Sequence, residues 1–181
     1  MGINKPVRIA ITGPESTGKS ELCISLSKYF NEPFVDEYSR EYLAQTGGAY
    51  DYNDLLKIAK GQFQRETDLL SSPPNYLFCD TDFLVTHIWS IVRYGKSHQW
   101  IEEMILQEPY DFTLLCQVDL PWEYDPLRKN PQNRDYIFNL FKDELIKLNC
   151  PYGIVTGTGS ERLQNAIRLL KSNGFVPNVS V

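Results

Sequence analysis

The chain has 181 residues, of which 42% are hydrophobic and 23% charged, a balance that excludes collagen-like, disordered and disulfide-rich classes. Eighteen basic against twenty-three acidic residues give a net charge of −5, which argues against a broad positive face for nucleic acid. That length predicts a single domain over 1–181 with enough chain to bury a sizeable core.

The apolar run Val7 to Thr12 reads as a buried strand, and Glu21 to Phe30 reads as a helix. Between them, Gly13-Pro14-Glu15-Ser16-Thr17-Gly18-Lys19-Ser20 fits the phosphate-binding pattern G-x-x-x-x-G-K-[ST] at every fixed position. Strand before and helix after are the context this P-loop motif needs. There the glycines let backbone N–H groups close around phosphates, and the helix N-terminus adds positive potential. Lys19 reaches the β- and γ-phosphates, and the Ser20 hydroxyl ligates Mg²⁺. The nucleotide-binding set is therefore Gly13, Glu15, Ser16, Thr17, Gly18, Lys19, Ser20 and Glu21.

Pro33 to Glu37 reads as a short second strand whose two acids emerge at its carboxyl end, on the edge that carries the P-loop. Residues 38–46 form a predicted helix stopped by Gly47-Gly48, and Asp51-Tyr52-Asn53-Asp54 offers an N-cap for another running to about Leu70. Tyr76 to Asp80 is a third strand ending in an acid, followed by a helix over Thr81 to Tyr94 and one over Gln99 to Gln107. Asp111 to Val118 is a fourth strand. Residues 121–133 are rich in proline and loop formers and read as a lid. A helix from Asn133 to Leu148, a strand Tyr152 to Thr156 and a helix from about Ser160 to Lys171 complete the chain. Five apolar strands alternating with helices predict an α/β fold, a three-layer P-loop NTPase with a parallel sheet covered on both faces.

Phosphoryl transfer needs a nucleotide clamp, a metal, a group that orients or deprotonates the acceptor, and positive charge on the migrating phosphoryl. Asp80 is placed to hold Mg²⁺ opposite Ser20, with helix N-capping as its alternative use. Asp36 or Glu37 is placed to accept a substrate hydroxyl proton, and the sequence leaves open which. Arg40 follows about one helical turn on. Arg128 and Arg134 flank the proline-rich segment, and arginine suits a developing phosphoryl charge because its fork stays charged and spans two oxygens. Cys23, Cys79, Cys116 and Cys150 lie far apart without a C-x-x-C pair, which predicts buried free thiols. His87 and His98 are read as structural. No apolar stretch is long enough to span a bilayer and residues 1–12 lack a signal-peptide core, so the expectation is a soluble cytoplasmic protein with no membrane or nucleic-acid partner.

Taken together, the P-loop at 13–20, Asp-Glu-Tyr-Ser-Arg-Glu-Tyr-Leu at 36–43, Cys-Asp-Thr-Asp at 79–82 with Thr86 and Trp89 behind it, Asp-Leu-Pro-Trp at 119–122 and the Arg128 to Arg134 stretch resemble the ribosylnicotinamide kinase domain of the bacterial NAD-biosynthesis regulator family. The resemblance runs from about Val7 to Leu170. It implies a nucleoside-kinase-like enzyme that phosphorylates the 5′-hydroxyl of nicotinamide riboside with ATP and Mg²⁺. With Lys19, Asp36, Glu37, Arg128 and Arg134 as catalytic residues, the implied acceptor set is Asp36, Tyr38, Arg40, Asp82, Trp89 and Trp122. Tyr38 and Trp89 would supply aromatic faces for the nicotinamide ring. The H-x-G-H type motif of the family's nucleotidyltransferase domain is absent, since the only histidines are His87 and His98, so the resemblance carries the kinase alone. Where the family commonly has an Asp-Gly pair before the lid arginine, this chain reads Trp122 to Leu127 without one. The competing readings are a kinase for another nucleoside or nucleoside monophosphate, and a nucleotide-dependent ATPase switch with no small acceptor.

Overall fold

Val7–Thr12 forms β1 at the centre of a five-stranded sheet in the computed structural model, which describes residues 5–70, 73–123 and 133–177. The other strands are β2 (Phe34–Val35), β3 (Tyr76–Asp80), β4 (Phe112–Cys116) and β5 (Tyr152–Val155), in the order β2-β3-β1-β4-β5 with every pairing parallel. The helices are α1 (Lys19–Phe30), α2 (Tyr38–Gln45), α3 (Tyr52–Leu70), α4 (Phe83–Tyr94), α5 (Gln99–Gln107), α6 (Arg134–Lys147) and α7 (Gly159–Ser172).

Side chains of a strand alternate between faces, and both faces here are covered. Ile9 and Ile11 of β1 pack with Leu22 and Leu26 of α1 and with Ala166 and Leu170 of α7. On the opposite face Leu115 of β4 meets Leu84 and Ile88 of α4 and Phe138, Phe141 and Leu145 of α6. Ala59 of α3, Phe83, and Ile101 and Met104 of α5 extend that helical layer. The result is the expected three-layer α/β architecture.

Arg8, only 1% exposed, is an exception to the apolar core. Its guanidinium donates to Glu66 of α3 at 2.7 Å and to Glu108 at 3.0 Å, and lies 4.5 Å from the Tyr110 ring centroid. The Tyr110 hydroxyl donates to the second Glu66 oxygen at 2.7 Å. This cluster sits at the amino end of β1, whereas the loops that follow the carboxyl ends of the strands build the site.

Helix starts depart from the sequence pattern where a site residue does the capping. Gly18, in the left-handed region at φ 71°, is the N-cap of α1, so Lys19 and Ser20 are its first residues and the helix does not wait for Glu21. α4 begins at Phe83, because the Asp82 carboxylate accepts from the Val85 N–H at 2.9 Å.

Candidate active site

The turn after β1 is a backbone cradle. Gly13 has φ 132°, and a Cβ there would lie 3.0 Å from the Cys116 carbonyl oxygen of β4. Only glycine lets the loop leave the sheet so close to its neighbour. Thr17 is fully buried and its hydroxyl donates to the Pro14 carbonyl at 2.8 Å. Lys19 folds back over the loop, its Nζ 2.9 Å from the Gly13 carbonyl and 2.7 Å from that of Pro14. Behind the loop, Arg162 of α7 is 4% exposed and donates to the carbonyls of Thr17 at 2.7 Å and Gly157 at 2.8 Å and to Asp119 at 2.6 Å.

At the end of β3, Asp80 is 3% exposed, and burial, reinforced by the nearby Glu37 charge, pushes its carboxyl up to about 6 against the pull of the Ser20 hydroxyl and Lys19. Its Oδ1 is buried with no hydrogen-bond partner among the described residues. A buried carboxylate oxygen without a donor, beside a hydroxyl and the phosphate loop, fits a hard cation such as Mg²⁺, which takes few protein oxygens and completes its shell with phosphate and water. Among the described residues no group of three or more His, Cys, Asp or Glu side chains gathers into an all-protein metal cage. The next residue, Thr81, is β-branched yet adopts φ 76°, a strained turn held by its N–H to the Ile11 carbonyl at 3.1 Å.

After β2 the chain presents Glu37. Its carboxylate accepts from the Ser39 hydroxyl at 2.7 Å and from Arg40 Nε at 3.1 Å, and it is 17% exposed.

The loop residues Gly13, Pro14 and Lys19 and the Glu37 carboxylate open into one cavity of about 280 Å³. Gly13, Pro14, Glu15 and Lys19 form one end, Glu37, Ser39, Arg40 and Leu43 a side, and Ile137 and Phe141 of α6 another. Val85, Ile88, Trp89, Val92 and Arg93 give one face of α4 to it at helical spacing. Tyr50 completes the wall: its hydroxyl accepts from Trp89 Nε1 at 2.8 Å, the two rings meet edge to face at 4.8 Å, and Arg93 lies 4.6 Å over Tyr50. Burial also raises the Tyr50 hydroxyl above its ordinary value.

The structure brings Gly13, Glu15, Lys19, Glu37, Arg40 and Trp89 together around this cavity, and Ser20, Lys19 and Glu37 lie close enough to Asp80 to act on its carboxyl. Other expected site residues have different employment. Asp36 points outward, 71% exposed and paired with Arg65 at 2.8 Å, because successive side chains of an extended segment alternate. Tyr38 does not line the cavity; its ring packs on Gly61, where a Cβ would lie 2.1 Å away, and beneath Arg65 at 4.8 Å. Asp82 is consumed by capping α4 and by the Thr12 hydroxyl at 3.1 Å, and burial raises it to about 6. Capping of that helix belongs to Asp82, not Asp80. Glu21 is exposed on the first turn of α1. Arg134 donates to the carbonyls of Ser16 at 3.1 Å and Leu120 at 3.0 Å, tying the loop to the segment after β4. Trp122 is half-buried beside that segment and is not part of the cavity wall. Arg128, with residues 124–132 of the expected lid, lies outside the described residues.

Tyr50, Arg93 and Arg162 were not anticipated. The α4 positions 85, 88, 89 and 92 carried a readable signal, an apolar stripe at i, i+3, i+4 and i+7. Tyr50, in a loop after two glycines, carried none.

The sequence matches the AAA domain family over residues 8–162. It is 34% identical over 124 residues to the trifunctional NAD biosynthesis/regulator protein NadR of Escherichia coli (strain K12), an alignment that takes in 66% of this chain and 30% of that protein. The chain thus spans less than a third of the curated relative it matches. Among solved structures, NadR protein in complex with NR superposes at a TM-score of 0.78 with 20% identity, covering 97% of this chain and 52% of that one. Deoxyadenosine kinase from M. mycoides with bound dATP superposes at 0.61 with 15% identity, covering 91% and 99%. At such identities the superpositions establish the fold: a P-loop α/β scaffold of the kind seen in nucleoside kinases.

Proposed function

The chain belongs to the AAA domain family, and on that premise we propose that it is a P-loop small-molecule kinase that phosphorylates nicotinamide riboside with ATP to give nicotinamide mononucleotide. The observation that carries the reading is the continuous cavity that runs from the phosphate loop, past Glu37, to the Tyr50–Trp89 wall. Phosphate-handling groups at one end and aromatic faces at the other are what a nucleoside acceptor requires. The likeness to NadR, one structure of which holds NR, supports the choice of acceptor.

In this reading the loop amides and Lys19 hold the ATP phosphates, Lys19 leaving the Gly13 and Pro14 carbonyls to do so. Mg²⁺, held by Ser20 and Asp80, would neutralise phosphate charge. Glu37, kept in place by Ser39 and Arg40, accepts the proton of the 5′-hydroxyl as its oxygen bonds to the γ-phosphorus. The bond from that phosphorus to the β–γ bridging oxygen breaks and ADP leaves. The Tyr50–Trp89 wall faces the cationic nicotinamide ring, an attraction worth about 1–2 kcal/mol where water is excluded.

A nucleoside monophosphate kinase is the second reading, and Arg40 and Arg93 in the cavity wall favour it, since they could hold an acceptor phosphate. Incubating the protein with ATP, Mg²⁺ and a panel of nucleosides and their monophosphates, with ADP release and product mass as readouts, separates these. Nicotinamide mononucleotide formed faster than any other product supports the first reading. Faster turnover of a monophosphate moves the chain to the second, and ATP hydrolysis indifferent to every acceptor makes it a nucleotide switch.

A further inference from the structure

The first N–H groups of a helix have no partner within it, and the N-cap side chain usually supplies one. Glu37 is the N-cap of α2, yet among the described residues its side chain makes no cap hydrogen bond. The acceptor comes from another helix. Gln62 of α3 is 4% exposed, and its Oε1 accepts from the Tyr38 N–H at 2.9 Å. The Nε2 of the same amide lies 3.4 Å from the Asp80 carbonyl. One buried side chain therefore links the first residue of α2 to the last residue of β3.

Its neighbours on α3 serve the two residues that flank Glu37. Gly61 leaves the space the Tyr38 ring occupies; an alanine Cβ would stand 2.1 Å from that ring. Arg65 holds Asp36 outward at 2.8 Å. Asp36 pinned on one side and the Tyr38 ring seated on the other leave Glu37 directed to the cavity. Glycine is unfavourable against alanine inside a 19-residue helix, and the Tyr38 ring is the structural reason for it here.

We propose that Gln62 is a positioning residue that caps α2 from α3, and so releases the Glu37 carboxylate from capping and holds it at the acceptor end of the cavity. The proposal rests on the function given above, in which Glu37 accepts the acceptor's proton. Without Gln62 the Tyr38 N–H loses its acceptor, and the Glu37 carboxylate, at the N-cap, would turn from the acceptor to serve the first turn of α2.

The test is a double-mutant cycle. Gln62→Met, close in shape but without polar atoms, is expected to lower kcat about tenfold or more while KM for ATP changes less than twofold, since a small misplacement of a reacting group is costly. In a Glu37→Gln background the same change is expected to lower kcat less than twofold further, because both act through one carboxylate. Gln62→Glu retains the acceptor for the Tyr38 N–H, though not the donor to the Asp80 carbonyl, and is expected to recover most of the loss; Gln62→Asn, one methylene shorter and out of reach of that N–H, takes the place of the methionine variant should it not fold. Equal factors in both backgrounds would make Gln62 a general fold residue and overturn the proposal. Hydrogen exchange separates its failure from that of the function. If the chain phosphorylates no nucleoside, the Tyr38 amide still decides, exchanging at least tenfold faster in Gln62→Met where Gln62 is the cap and unchanged where it is not.

Discussion

Arg162 of α7 donates to the carbonyl of Thr17 at 2.7 Å, so the last helix holds the phosphate loop from behind, 145 positions along the chain. The same guanidinium holds Asp119 at 2.6 Å, and Asp119 in turn accepts from the Gly157 N–H at 2.7 Å. Asp119 is partly exposed, but the Arg162 guanidinium is buried and also holds the Gly157, Thr17 and Gln117 carbonyls, so its removal strips several buried acceptors of their donor and costs about 3 kcal/mol. Arg162→Met is expected to lower the melting temperature by roughly 6–12 °C, at ~2–4 °C per kcal/mol for a chain of this size. It should also weaken an ATP analogue at least tenfold, read by calorimetric titration at a temperature where the variant is folded. Unchanged nucleotide affinity would mean that the loop keeps its shape without Arg162.

Among the described residues, Lys19 hydrogen-bonds to backbone carbonyls of its own loop, so little of the fold depends on it. Lys19→Ala is expected to reduce phosphoryl transfer about 100-fold or more, with melting within roughly 3 °C of the parent. A coupled ADP-release assay beside a thermal scan checks both. Activity above a tenth of the parent's would remove the lysine from its assigned role.

The outward Asp36 and the cavity-facing Glu37 give a paired prediction. Glu37→Gln should lower kcat about 100-fold at unchanged fold, as loss of a general base does, while Asp36→Asn should change it less than threefold. Steady-state kinetics on the two variants decides, and the opposite ranking would exchange the roles of the two acids.

Asp80 and Asp82 are both raised to about 6 by burial. An acid whose folded value exceeds its unfolded value of about 4 binds protons more tightly when folded. Its stabilising contribution is complete below the unfolded value and is lost as pH rises through 6. The ligand-free protein is therefore expected to melt several degrees higher at pH 5 than at pH 7.5, and Asp80→Asn should remove part of that difference. Mg²⁺-dependent nucleotide binding should run the other way, weakening below pH 6 as Asp80 takes up a proton. Calorimetry and titration at both pH values test the pair of slopes.

At the far end of β1, Glu66→Leu would leave the buried Arg8 guanidinium with Glu108 alone and the Tyr110 hydroxyl without its acceptor. A loss of about 3–5 kcal/mol is expected in denaturant unfolding, with kcat of the folded fraction changed less than threefold because none of the four residues lines the cavity. A fall in kcat at full folding would mean that the two ends of β1 are coupled.

The parts of this architecture written in local pattern were legible in the sequence. Five apolar runs gave the strands, and the P-loop motif announced its own turn. Boundaries shifted where tertiary partners intervene. β2 shrinks from 33–37 to Phe34–Val35, because only those two residues pair with β3 before Asp36 turns to Arg65. β4 ends at Cys116, short of Val118, and the segment beyond it bends to Arg162 through the Gln117 carbonyl and Asp119. Gln62 sat in plain view on the buried stripe of α3, but a stripe reports burial and not the Tyr38 N–H the amide will meet. Tyr38 and Tyr50 differ in a way no spacing encodes: the glycine opposite Tyr38 draws its ring into a helix contact, whereas Tyr50 finds the Trp89 N–H.

The strand order has a consequence for the sequence of events in folding. β1 pairs with β3 and β4, both far downstream, and the phosphate loop that follows it is shaped by the Cys116 backbone and by Arg162. Contacts between distant positions close large loops before they return any energy, which slows folding. The nucleotide-binding motif at 13–20 precedes β4 and α7 in the chain and is completed only when both have docked behind it. The motif should therefore acquire nucleotide affinity only in the final cooperative step, and folding intermediates that retain the sheet should still be blind to ATP.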